Sequence, residues 1–293
     1  EGDVYDNYYI SLAAVYAIRA RVALNMRNWN DAVTYSTYVI DNPAFSLSGT
    51  ETNPTTGYTG FDSLWYFDTG NEIIWRIGFT PTSAGGALGT DFLNYTRDYT
   101  YLYPDFVPAE WVINLYSTND IRYLAYFADS SVEGFPTIGY SFEIAVPLLA
   151  KYWGNRNFTN SYQLYHVCMP KPLRLAEQYL IRAEAHCRLG DGLAASDLTT
   201  LSQSRGAGAV SVGADWLETI SNERVKELYM EGFRLNDLKR WHQGFERTPN
   251  SYSQTEGNDL EISADDPLFV WPIPQHEIES PGSEIEENAS NNR

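Results

Sequence analysis

The sequence predicts a mainly α-helical protein, built from antiparallel helical pairs and carrying a long, loop-rich insertion with short strands. Three observations carry that prediction. The stretch "LAAVYAIRAR" from Leu12 returns 163 residues later as "LAEQYLIRAE" from Leu175, with Leu, Ala, Tyr, Ile, Arg and Ala in register. Each copy is followed by a short polar turn and a second run of apolar residues at helical spacing. Between the copies, residues 50–165 hold 26 of the 43 aromatic side chains, interleaved with Gly, Thr, Asn and Pro. Turn residues at that density interrupt helices and favour ordered loops.

From about Asn7 to Met26 apolar residues recur at helical spacing, and "RNWNDA" breaks the run before a second helix ending near "IDNP". Pro43 has no N–H to donate and pushes Asn42 out of the helical region, so the helix stops there. With Ala20 in the first helix and Trp29 and Ala32 opening the second, the pair is tetratricopeptide-like. Small residues let the two helices approach, and an aromatic ring wedges the turn. The second copy runs from about Pro172 to Leu189, turns at "GDG" and continues through Arg205, placing Ala195 where Ala32 stands. A third pair follows, "DWLETISNERVKELYMEG" and "FRLNDLKRWHQG". Within the insertion, "NEIIWRIGF" reads as a short strand. "PAEWVINLYSTND" reads as a helix with Pro108 in its first turn, and "TPTSAGGALGT" as the loosest loop. Trp75 and Trp111 stand on those regular elements and are assigned to the core. The expected organisation is one compact domain: a helical pair at 1–45, the aromatic insertion at 46–165, and helical repeats with a C-terminal motif at 166–293.

A formal charge of −18 argues against a nucleic-acid partner and against a polybasic membrane-surface patch, both of which need clustered Lys and Arg. No run of 18 apolar residues is present to span a bilayer, and "EGDVYDNYY" lacks the basic start and apolar centre of a signal peptide. Cys168 and Cys187 make neither a disulfide framework nor a CxxC zinc site. His166, His186, His242 and His276 have no metal-ligand spacing. "NDLEISADD" offers Asp259, Glu261, Asp265 and Asp266 to calcium, but it lacks the glycine and terminal glutamate of a calcium loop. A solvated acidic loop is the better reading, and no cofactor is expected.

The segments "RLAEQYLIRAEAHCRLGD", "NERVKELYMEGFRLNDLKRW" and "FVWPIPQHEIES" together resemble the SusD/RagB family of surface nutrient-binding lipoproteins. The pattern is carried by Glu223, Arg224, Glu227, Glu231, Gly232, Arg234, Asp237, Leu238, Arg240 and Trp241, followed by Pro272-Ile273-Pro274. "PAEWVINLYSTNDIR", with Asp120 and Arg122, is similar to a further family segment. The resemblance implies a SusD-like fold and a non-enzymatic protein on the extracellular face of the outer membrane. It implies binding of a polysaccharide or oligosaccharide, of the kind used in starch utilization, and delivery to a SusC-like TonB-dependent transporter. Members of the family are usually longer and begin with a lipidated cysteine. The chain is therefore expected to be an N-terminally truncated piece whose lipid anchor lies outside it. Family members that take up peptides leave a peptide ligand open as the alternative.

Two clusters compete for function. Glu231/Arg234 and Asp237/Arg240 are spaced i, i+3 on helix faces, and planar guanidiniums suit paired carboxylates. Structural ion pairs are expected there, with Arg19 and Arg182 in similar bridges. A helical glycoside hydrolase would need two facing carboxylates, one with a raised pKa. Asp62, Asp68, Glu72, Asp91, Asp98, Asp105 and Glu110 are available, but spacing brings no two together. The aromatic loops suit a different chemistry. Sugars lay apolar C–H faces on Tyr and Trp rings while Asn, Asp and Arg bond their hydroxyls. "DFLNYTRDYTYLYPD" and "DSLWYFDTGNE" supply that mixture. The candidate ligand-binding residues are Trp65, Tyr66, Asn94, Tyr95, Arg97, Asp98, Tyr99 and Tyr101, with Tyr103 beside them. Their loose alternation from Tyr95 to Tyr103 equally suits a half-buried strand over the core.

Overall fold

A computed structural model describes residues 7–80, 85–93, 101–102, 104–128, 137–138, 147–158, 166–247 and 261–292. The chain divides into two compact units, Glu1–Tyr229 and Met230–Arg293.

In the first unit α1 (Leu12–Asn25) begins where the Ser11 hydroxyl accepts from the Ala14 N–H, and α2 (Trp29–Ile40) where Asn28 caps Asp31. Each cap satisfies an amide that a helix start leaves unpaired. The insertion follows in short elements. They are α3 (Gly60–Tyr66), β1 (Ile73–Trp75), α4 (Thr90–Leu93), β2 (Tyr101–Leu102), α5 (Glu110–Ile113), α6 (Ile121–Tyr126), β3 (Phe127–Ala128), β4 (Thr137–Ile138) and β5 (Leu148–Leu149). Then β6 (Leu173–Arg174) runs into α7 (Leu175–Leu189), α8 (Ala194–Ser204) and α9 (Trp216–Leu228). The strands form two-stranded pairs: β1 with β6 and β3 with β5 antiparallel, β2 with β4 parallel. The second helical copy therefore starts at Leu175 rather than Pro172, because Leu173 and Arg174 are held in extended register by Trp75 and Ile73. Gly190 ends α7 in the left-handed region at φ 69°, a conformation that costs glycine little.

Helix α2 packs between α1 and α7, and α7 also meets α8 and α9. The repeated alanines work as the sequence predicts: Ala20, Ala23 and Ala32 join Ile181 and Ala185 in one buried cluster, with Trp29 against its edge. The two copies of the repeat nevertheless have different surroundings. Ile181 is fully buried, whereas its counterpart Ile18 is 38% exposed; Leu175 is 2% exposed and Leu12 67%. The arginines diverge in the same way. Arg182 reaches Asp197 at 2.7 Å and the Thr37 hydroxyl at 3.1 Å. Arg19 is exposed and lies over the Tyr35 ring at 3.9 Å, so the carboxylate bridge expected for it is replaced by a cation–π contact. In α1 it is Arg21, two positions on, that pairs with buried Glu177 at 2.6 Å.

A larger cluster under the insertion joins Phe61, Leu64, Trp65, Ile73, Tyr126, Phe127 and Tyr152. Trp111 does not belong to it. Helix α5 is a single turn that buries Val112 and leaves Trp111 45% exposed, which corrects its assignment to the core.

In the second unit α10 (Arg234–Trp241) buries Leu238 against Ile262 and Phe269. The unit also holds a short antiparallel pair, β7 (Phe245–Glu246) with β8 (Glu261–Ile262), α11 (Gln275–Ile278) and two 3-10 turns at Pro267–Phe269 and Ala289–Asn292. The i, i+3 pair on α10 forms, with Arg240 Nη2 2.9 Å from Asp237.

Candidate functional site

The site begins with the way α3 is fixed. The Thr59 hydroxyl accepts from the Asp62 N–H at 3.0 Å, and the Asp62 carboxylate accepts from the Thr59 N–H at 2.9 Å. This capping box holds both ends of the first turn. The helix turns Phe61, Leu64 and Trp65 inward and leaves Tyr66 half-buried at its edge. Trp65 is 2% exposed. Its ring packs edge-on against Tyr126 at 5.6 Å and Tyr152 at 6.1 Å, with the Lys151 ammonium 4.2 Å from its centroid. Trp65 is thus a core ring behind the surface, and the surface itself runs through Tyr66.

Two residues that sequence reasoning missed join Tyr66 there. Tyr58 meets Tyr66 edge-on at 5.7 Å, and the exposed Arg156 guanidinium lies 4.8 Å from the Tyr58 ring and 4.7 Å from the Tyr66 ring. Arg156 Nη1 donates to the Tyr58 hydroxyl, and the Arg156 N–H donates to the Tyr66 carbonyl at 2.8 Å. Burial, with Asp62 nearby, pushes the Tyr66 phenol up to about 12, so it stays protonated and able to donate. No sequence motif marks this trio. Its members are up to 98 residues apart, and the only local sign was an Arg flanked by Asn in "GNRNF".

Of the other predicted ligand residues, Asn94, Tyr95, Arg97, Asp98 and Tyr99 lie outside the described residues, as does Tyr103. Tyr101 opens β2, paired with Thr137.

The rival cluster is a buried ion network. Glu227 on α9 is its hub: its carboxylate sits 2.9 Å from Arg174, 2.9 Å from Arg205 and 3.2 Å from Arg122. Arg122 also pairs with Asp120 at 2.7 Å and Glu223 at 2.6 Å, while Arg174 and Arg205 share Glu72. All seven side chains are at most 2% exposed. Burial pushes the Glu227 carboxyl up, but the guanidiniums of Arg205, Arg174 and Arg122 outweigh it and hold it well below the ordinary carboxylate range. Glu223 is lowered in the same way, against burial, by Arg122 and Lys226. A glycosidase acid needs the opposite shift. Of the insertion's other candidate carboxylates, Asp98 lies outside the described residues, and exposed Asp91 and Asp105 are neighbours, the Asp105 N–H donating to the Asp91 carbonyl at 2.9 Å. Asp62 caps α3, buried Asp68 takes Lys171 and Asn155, Glu72 belongs to the network, and Asp105 and Glu110 are exposed. No group of acidic, His or Cys side chains among the described residues is arranged to hold a metal ion. No described helix is long and apolar enough to cross a membrane.

The network joins the segments that carry the sequence pattern: "NDIR" within the insertion, Arg174 before the repeated helix, and Glu223 and Glu227 in α9. The SusD family model matches residues 147–289. Over that stretch, just under half of the chain, the sequence is similar to the SusD family. The fold agrees across nearly the whole chain. A SusD superfamily protein from Bacteroides thetaiotaomicron superposes with a TM-score of 0.75 and 26% identity, covering 97% of this chain and 61% of its own. A SusD-like carbohydrate binding protein from Bacteroides vulgatus gives 0.63 and 24%, covering 87% of this chain and 51% of its own. Surface glycan-binding protein A from Bacteroides thetaiotaomicron gives 0.71 and 20%, covering 97% and 65%. The chain thus spans well under two thirds of the first two of these structures. A search of curated proteins returned no match. The mainly helical architecture expected from the repeats, and the SusD-like fold implied by the resemblance, are the ones observed.

Proposed function

We propose that the protein captures a glycan at the cell surface and hands it on uncleaved. The observation that carries this reading is the Tyr58–Tyr66–Arg156 surface, where half-buried rings and an exposed guanidinium are held together on the aromatic insertion. Rings supply flat apolar faces for sugar C–H groups, and phenol and guanidinium supply directional donors. Tyr66 is its ring on α3, with Trp65 packed behind it; Asn94, Tyr95, Arg97, Asp98, Tyr99 and Tyr101 belong to the same proposal as further ligand contacts. Similarity in fold to a SusD-like carbohydrate binding protein and to a surface glycan-binding protein supports the same ligand class.

In this reading the protein is a binding component, and Glu223 and Glu227, held ionised by arginines, are structural carboxylates of the buried network. In this reading it sits on the outer face of the outer membrane, tethered by a lipid anchor, and delivers its ligand to a TonB-dependent, SusC-like transporter. Isothermal calorimetry and affinity electrophoresis against a glycan and peptide panel test the reading. Retention of at least one glycan, weakened by Tyr66→Ala and by Tyr95→Ala, Tyr99→Ala or Tyr101→Ala, is expected. Binding of peptides alone would replace the glycan with a peptide ligand.

A further inference from the structure

We infer that Arg156 is a sugar-contacting residue that grips a pair of neighbouring hydroxyls on a neutral glycan. The inference rests on the glycan-binding reading and narrows it to one residue and one ligand class.

Exposed arginines ordinarily roam through many rotamers, whereas this one is fixed from three sides. Its own N–H is tied to the Tyr66 carbonyl, its guanidinium spans the Tyr58 and Tyr66 rings, and Nη1 donates to the Tyr58 hydroxyl. The supports are themselves anchored. Next to Arg156, buried Asn155 donates to the Asp68 carboxylate at 2.7 Å, and the Asn155 side-chain oxygen accepts from the Asn157 N–H at 2.9 Å. Tyr58 ends a tight loop in which the Asn53 side chain accepts from Thr55 N–H at 2.8 Å and the Asn53 N–H donates to the Tyr58 carbonyl at 2.9 Å. A guanidinium ordered before ligand arrives loses less conformational freedom on binding than a free one.

The same fork of N–H donors matches either a carboxylate or two adjacent hydroxyls, and charge decides between them. The 293-residue chain carries 38 Asp and Glu against 20 Lys and Arg, and Asp62 lies close enough to raise the Tyr66 phenol. A polyanionic glycan approaching this surface meets net repulsion, while a neutral one does not. The hydroxyl pair is the favoured occupant.

Affinity electrophoresis and calorimetry on wild type, Arg156→Ala and Arg156→Lys provide the test, using starch, xyloglucan, arabinoxylan and galactomannan as neutral probes and polygalacturonate as the acidic one. Wild type is expected to retain a neutral probe. Both variants are expected to bind that probe about tenfold or more weakly, since Lys keeps the charge but loses the fork. Melting curves that overlay the wild type separate this loss from unfolding, and Arg156→Lys serves alone if the Ala variant does not fold. Binding within about twofold of wild type in a folded variant overturns the role of Arg156 and leaves glycan capture standing. Preference for polygalacturonate overturns the neutral class. Failure of wild type to bind any glycan overturns the function reading and this inference with it.

Discussion

Replacing Glu227 by Gln removes one negative charge from the centre of the buried network while keeping the side chain's shape. In the folded protein Asp120, Glu72, Glu223 and Glu227 oppose Arg122, Arg174, Arg205 and Lys226, so the ionised groups balance. The variant leaves one cation in excess among groups that are almost entirely out of water. Two arginines lose an oxygen at 2.9 Å, and an amide nitrogen now faces a guanidinium. Breaking a buried pair from one side costs about 3–5 kcal/mol, chiefly because the partner's charge stays desolvated. That is a large share of the roughly 5–15 kcal/mol available to a folded domain. In urea, where the free energy falls by about 1–3 kcal/mol per molar, the unfolding midpoint should drop by at least about 1 M. The assay is equilibrium unfolding followed by far-ultraviolet circular dichroism. A midpoint within a few tenths of a molar of wild type would refute the reasoning, since it would mean that the network's hub is dispensable.

Acid should act on the same groups. Glu223 and Glu227 are depressed in the folded state, so their contribution is complete above the unfolded glutamate value near about 4.3 and is lost as pH falls below it toward the folded values. Melting temperature should hold between neutral pH and about 5 and decline below that range; a flat profile to pH 3 would contradict the sign. Trp65→Ala should destabilise by about 3–5 kcal/mol in urea, as expected for a core ring with 2% exposure, and a loss under about 1 kcal/mol would place Trp65 on an open surface. The two repeat isoleucines supply an internal control. Ile181→Ala should cost about 2–5 kcal/mol and Ile18→Ala less than about 1, because the same letter is buried in α7 and 38% exposed in α1; equal costs would mean that exposure does not set the penalty.

The contrast between those isoleucines also marks what could be read from sequence. Periodicity specifies α1, α2, α7 and α8, helped by caps at the starts of α1 and α2 and by Gly190 at the end of α7, because helix signals are local, and the repeated Ala20 and Ala32 announce close helix packing. What surrounds a helix is not local. "LAAVYAIRAR" and "LAEQYLIRAE" look alike, yet α7 has neighbours on more sides than α1, so Arg182 finds Asp197 while Arg19 finds the ring and hydroxyl of Tyr35. The network was half legible. Asp120 with Arg122, and Glu223 with Glu227, stood out as clusters, but Arg122 and Glu223 are 101 residues apart and nothing in the spacing pairs them. Arg205 drew no attention at the end of α8, although it bridges Glu72 and Glu227. The candidate surface was legible as a region through its aromatic density and as a single residue through Tyr66. Tyr58 and Arg156 come from separate loops, and only the tertiary fold lays one over the other.

Capture without cleavage is tested most directly by following one sample for both. The protein is mixed with each neutral polysaccharide, retention is read by affinity electrophoresis, and new reducing ends are titrated in the same mixture after prolonged incubation. The account predicts retention of at least one glycan with no reducing ends above the protein-free control. Appearance of reducing ends that scale with protein concentration, or no retention of any glycan, would contradict it.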